Sequence, residues 1–318
     1  MEIALLVILL NGISCDRSSE TSTRNAAREE SLMQEPAQEG VPGPVHKEED
    51  AISLGREGMT FRRISPRKHG REGPDFFLLE TEVTNAMYAS FLRPVKGRKG
   101  DEAALEEAER QMKATQSSTV DAVSWVTNKS LLWSGSKPPE GKEDFPVALL
   151  MVTEAANFCE WLTRTYPDLG TFRFPTVEEW KLAAYGADRK YPWGNEWNPK
   201  FVCHAAPTPE RVKDRPKGNT PEGIYGMLGN VSEFVIHPAE ERNVHFMGVG
   251  GRWMGGSFND DEGFRPRQDY WGYWHNSSSK SEYIGFRVLL DPEDREHKFK
   301  HSVPYDLERP QRETEQKR

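Results

Sequence analysis

Cysteine is scarce in this chain. Cys15, Cys159 and Cys203 are the only three in 318 residues. Three thiols cannot build the disulfide framework that staples small exported domains, so the fold must rest on an apolar core. Positive charge is also in deficit: 42 Lys and Arg stand against 50 Asp and Glu, a net charge of −8. A nucleic-acid surface needs clustered cations to neutralise phosphates, which excludes that partner class. Long apolar runs are missing too. The longest, Ile3 to Leu10, falls far short of the roughly 20 residues that cross a bilayer as a helix. No internal repeat of fixed period is present, which argues against a solenoid or propeller.

What is there divides unevenly. Hydrophobic residues make up 36% and charged residues 29%, a polar balance that implies solvated tails around a packed part. Most Trp and Tyr fall between Tyr88 and Tyr283, and the packed part belongs there. The short apolar run followed by Asn11-Gly-Ile-Ser-Cys15 has the form of a secretory leader. Its terminal cysteine resembles the lipid-bearing residue of a bacterial lipoprotein signal. The expectation is an exported protein of the periplasm or cell envelope, tethered through lipid on Cys15. The expected organisation is a leader at 1–15, a disordered tether at 16–57, one domain at 58–290 with an insertion at 94–144, and a charged tail at 291–318.

Several local structures follow from the order of residues. Phe76 to Leu79 reads as a strand. Thr84 is placed to cap a helix that puts Tyr88, Phe91 and Leu92 on one face. Asp101 to Lys113 reads as a helix within the insertion. A further helix begins at Thr153, carries Ala155, Phe158, Cys159 and Leu162 at helical spacing, and stops at Pro167. That spacing sets Cys159 toward the core. Thr176-Val-Glu-Glu179 is a capping box, and Gly186 ends its helix. From Tyr191 to Arg287 the chain is rich in Gly, Pro, Asn and aromatics, the pattern of long loops with short strands. Phe286 reads as core, Arg287 as an internal hydrogen-bonding residue, and Val288 to Leu290 as a closing strand. Cys159 and Cys203 are open to two readings, a disulfide or two buried free thiols.

Seven short motifs run in order: Glu82-Val-Thr-Asn-Ala-Met-Tyr88, Phe145-Pro-Val147, Phe172 to Trp180, Pro192-Trp-Gly194, Gly229-Asn-Val-Ser-Glu-Phe234, Gly255-Gly-Ser-Phe258 and Gly285-Phe-Arg287. Together they resemble the formylglycine-generating enzyme family, the sulfatase-modifying factor domain, over Gly58 to Leu290. The resemblance implies an α+β, C-type-lectin-like fold, loop-rich, with a small antiparallel sheet and two or three helices. Enzymes of that family oxidise a sulfatase cysteine to formylglycine with oxygen. They use two cysteines after the Gly-Gly-Ser motif, acting with copper. In the matching stretch, Gly255 to Arg265, those two positions hold Asp260 and Arg265. A carboxylate and a guanidinium cannot stand in for soft thiolates, so neither copper nor formylglycine chemistry is expected. The expectation is a noncatalytic module that binds a peptide, protein or glycan. The alternatives are an oxidase with atypical catalytic residues and a structural scaffold of the envelope.

The resemblance also implies calcium at Gly229 to Glu233. Asn230 and Glu233 would give side-chain oxygens, and Leu228 and Val231 carbonyls. The plainer alternative is a turn whose polar side chains bond to nearby backbone. A second family calcium site is not expected, because Phe201-Val-Cys-His204 stands where Asn is usual. Adjacent residues of an extended segment point apart, so Cys203 and His204 form no nucleophile–base pair. The candidate ligand-binding residues are Asn259, Asp260, Asp261, Arg265, Arg267, Tyr270, Trp271 and Trp274, in a segment that runs to His275. Arginine and aromatics mark recognition surfaces, and they equally suit a core built from loops.

Overall fold

The computed structural model describes residues 44–55, 57–92, 129–134, 137–237, 245–249 (backbone only) and 280–293. They belong to one compact unit. The fold is α+β, as expected. Among the described residues it has three α-helices: α1 (Asn85–Phe91), α2 (Val152–Thr165) and α3 (Val177–Tyr185).

The larger sheet is antiparallel and has six strands. These are β1 (Val45–Lys47), β2 (Ala51–Leu54), β3 (Met59–Ile64), β4 (Phe76–Leu79), β5 (Thr171–Arg173) and β9 (Leu289–Asp291). Their order is β1-β2-β3-β4-β9-β5. The chain's last described strand therefore sits between two early ones, with Leu290 facing Phe77 on one side and Phe172 on the other. The smaller sheet has the order β7-β6-β8, from β6 (Ser232–His237), β7 (His245–Val249) and β8 (Ile284–Phe286). Its β6–β8 pair is parallel, which requires a long crossover. β7, antiparallel to β6, carries the chain back between them.

The ordered domain begins earlier than the expected Gly58. β1 and β2 lie inside the stretch read as a tether, and Ile52 and Leu54 are buried. The reason is a hairpin, with Ala51 to Leu54 paired antiparallel to Met59 to Arg62. Ala51-Ile-Ser-Leu54 is only four residues long and does not alternate, too short a pattern to stand out among polar neighbours. The leader at 1–15 and Cys15, the helix expected at Asp101–Lys113 and most of the 94–144 insertion lie outside the described residues. So does the charged tail beyond Glu293.

The caps hold as read. Thr84 Oγ1 accepts from the Met87 amide at 3.1 Å, which opens α1. Thr176 Oγ1 accepts from the Glu179 amide at 3.2 Å, and Glu179 Oε2 accepts from the Thr176 amide at 2.9 Å. Glu179 also takes two bonds from Arg173, at 2.7 and 2.8 Å. Burial pushes the Glu179 carboxyl up, but the Arg173 bonds and charge outweigh it, and the group is held below its ordinary value. α2 starts one residue before Thr153, at Val152, because the Glu154 carboxylate reaches back to the Met151 amide at 2.6 Å.

The main core forms where α1 and α2 meet the sheets. Phe158 is fully buried there. It stacks on Tyr88 at 5.6 Å and meets Phe286 edge-on at 5.5 Å. Burial of a side chain of this size contributes about 1.5–3 kcal/mol. Cys159 is buried one residue along, as its spacing predicts. A second cluster packs Val177, Trp180 and Ala183 of α3 against Val235 and Leu289. The Ile236 amide donates to Pro175 O at 2.9 Å, which sets β6 beside the start of α3 and turns Trp180 toward Glu233.

Candidate functional site

Arg287 lies between β8 of the smaller sheet and β9 of the larger one. Its side chain is fully buried, as is that of Glu233 in β6. A lone arginine between Phe286 and Val288 must find a counter-charge indoors, because a buried unpaired charge is prohibitively costly. It finds Glu233. Arg287 Nη2 donates to Oε1 at 2.7 Å, and Nε donates to Oε1 and Oε2 at 3.2 and 3.0 Å. The remaining donors reach backbone: Nη1 to Leu79 O at 3.0 Å, and Nη2 to Tyr225 O at 2.8 Å. Trp180 Nε1 completes the carboxylate, donating to Oε2 at 2.9 Å. One guanidinium thus ties β4, the loop at Tyr225 and β6 together, and α3 joins through Trp180.

The turn before β6 is shaped by two unusual residues. Gly229 has φ +80°, and a Cβ there would stand 2.4 Å from Cys203 O, so only glycine fits. Asn230 has φ +56°, a conformation asparagine tolerates better than most residues. Its side chain is spent on neighbours. Oδ1 accepts from the Glu210 amide at 2.9 Å, and Nδ2 donates to Glu82 Oε1 at 2.9 Å. Asn230 is also buried, so a glycan on Asn230-Val-Ser232 would have no room.

Glu82 is the group in this cluster to which the sequence attached no role. It is completely buried. Its Oε2 has no hydrogen-bond partner among the described residues and stands 3.9 Å from Arg287 Nη2. That is near enough to feel the charge and too far for a hydrogen bond. Gly226 packs against it so closely that a Cβ would fall 2.5 Å from Oε2. Burial raises the carboxyl strongly; the Arg287 charge lowers it, and the Glu233 charge raises it again. The result is a carboxyl moved from an ordinary 4.5 to about 7. Two carboxylates share one guanidinium, and Glu233 holds it.

The calcium expectation meets this geometry and fails to fit. Calcium takes six to eight oxygen ligands. Both Glu233 oxygens already accept from Arg287 or Trp180, and a dication placed there would lie against the guanidinium. Asn230 faces the Glu210 amide and Glu82, not a point shared with Glu233.

The two described thiols are buried and unpaired, so the disulfide reading falls. Burial pushes Cys159 far above the ordinary thiol range. It pushes Cys203, with help from the nearby Glu210 charge, up to about 12. Thiols raised in this way are poor nucleophiles, because attack needs the thiolate. His204 is half-buried beside the fully buried Cys203, and burial and the Arg215 charge hold its ring below its ordinary value. Asn259, Asp260, Asp261, Arg265, Arg267, Tyr270, Trp271, Trp274 and His275 lie outside the described residues. The strands that bracket their segment are described: β7 ends at Val249 and β8 begins at Ile284, on opposite sides of β6.

Among the described residues, two sheets, three helices and long connections, held by a buried Glu–Arg pair, define a loop-rich α+β domain. The sulfatase-modifying factor enzyme 1-like domain model matches residues 41–292, and the chain belongs to that family. Its matched range takes in the β1–β2 hairpin. Among solved structures the chain is similar to PvdO from Pseudomonas aeruginosa, at 18% identity and a TM-score of 0.46, over 79% of this chain and 98% of that one. It is similar to Treponema denticola variable protein 1, at 15% identity and a TM-score of 0.46, over 78% and 99%. It is similar to CarF at 18% identity and a TM-score of 0.43, over 69% and 87%. No curated protein matches it.

Proposed function

We propose that this chain is a noncatalytic member of its family, an exported module that binds a peptide, protein or glycan. One observation carries the reading: Asp260 and Arg265 stand where the family's enzymes hold their cysteine pair. The remaining thiols of the domain offer no replacement, since Cys159 and Cys203 are buried and poor nucleophiles. The ligand surface in this reading is the segment from Asn259 to His275. Its flanking strands share β6 as a common support, and β6 is fixed from below by Arg287 and Trp180. The segment is rich in Arg, Trp and Tyr, the residue types that mark recognition surfaces. Export rests on the apolar run at Ile3–Leu10, and the tether on Cys15. No described helix is long and apolar enough to cross a membrane.

The test is a binding screen of the purified full chain on peptide and glycan arrays, repeated with Trp271→Ala and Trp274→Ala. A retained ligand should lose about tenfold or more in affinity in at least one variant, as truncated aromatic anchors do. Binding that is unchanged in both variants, or no ligand of either kind, would sink the reading.

A further inference from the structure

We infer that Arg287 is the structural cation of this domain, and that its guanidinium, not calcium, holds the turn from Gly229 to Glu233. A structural calcium cross-links segments by gathering their oxygens and offsetting carboxylate charge. Arg287 does both. It gathers Leu79 O, Tyr225 O and both Glu233 oxygens. Those oxygens come from the end of β4, from the loop ahead of the turn, and from β6. Its five N–H groups form a planar fork that satisfies carbonyls and a carboxylate together. Asn230 closes the turn by a separate route, through the Glu210 amide and Glu82. No oxygen of Glu233 is left to face a second cation. The turn is thereby complete without a metal, and its stability carries no calcium dependence.

The test is thermal unfolding of the full chain and of Glu233→Gln, each with a calcium chelator and with excess calcium. Glu233→Gln should lower the midpoint by the same amount in both conditions. Calcium bound elsewhere would shift both proteins alike and leave that difference unchanged. A difference that widens with calcium would overturn the inference, because it places the ion on Glu233. Asn230→Asp supplies a second reading should Glu233→Gln fail to fold. A third carboxylate beside Glu82 and Glu233 should destabilise the domain equally with and without calcium. Rescue of Asn230→Asp by calcium would overturn the inference.

Discussion

Replacing Arg287 with methionine should cost the domain about 3–5 kcal/mol, the usual price of leaving a buried charge without its partner. The side chain is fully enclosed and its counter-ion is 1% exposed, so solvent cannot compensate the loss. The variant also leaves the buried Leu79 O and the half-buried Tyr225 O without the donors they have now, and the unsatisfied buried carbonyl adds to the loss. Methionine has a similar length and no charge, so the measured change reflects electrostatics and hydrogen bonding more than lost volume. Domains of this kind are stable by only about 5–15 kcal/mol in total. Chemical denaturation of the full chain, read by Trp fluorescence, checks the value. A loss below about 1 kcal/mol, the range of a solvent-exposed pair, would mean that Arg287 is not the hub of the two sheets.

The second large effect is on pH. Glu82 is raised in the folded state, from 4.5 to about 7. A carboxyl raised on folding favours the folded state while it is protonated. Its contribution is therefore fully present below about pH 4.5 and is lost as pH rises through about 7. Other groups titrate in that window, so the prediction concerns a difference. The stability of wild type relative to Glu82→Gln should fall from pH 4.5 to pH 7 and level off above it. Glutamine keeps the oxygen that accepts from Asn230 Nδ2 and cannot ionise. Parallel stability curves for the two proteins would show that Glu82 carries the same charge folded and unfolded, against the geometry of the cluster.

Local chemistry made much of this fold legible. Thr84 and Thr176 announce their helices because a cap is a matter of neighbours three residues apart. Cys159 could be placed in the core because Ala155, Phe158 and Leu162 share its face. Arg287 could be placed indoors because it interrupts an apolar run. Long-range pairing left no such trace. Glu82 and Asn230 meet across 148 positions of sequence, and no periodicity records that. Glu233 shows the other limit. A family motif suggested what it binds, but its partner is decided by Arg287, 54 residues away, and by Trp180, 53 residues away. The β1–β2 hairpin escaped for a similar reason, since Ile52 and Leu54 are buried in a core built from residues distant in sequence.

We propose that this scaffold lacks its family's chemistry. The most direct measurement is mass spectrometry of a sulfatase-motif peptide after incubation with the purified chain, Cu(I) and oxygen, beside an active family member. The account predicts an unchanged thiol with this chain and conversion with the control. Loss of the thiol and gain of an aldehyde with this chain would contradict it, and would require a new assignment of the residues that do the oxidation.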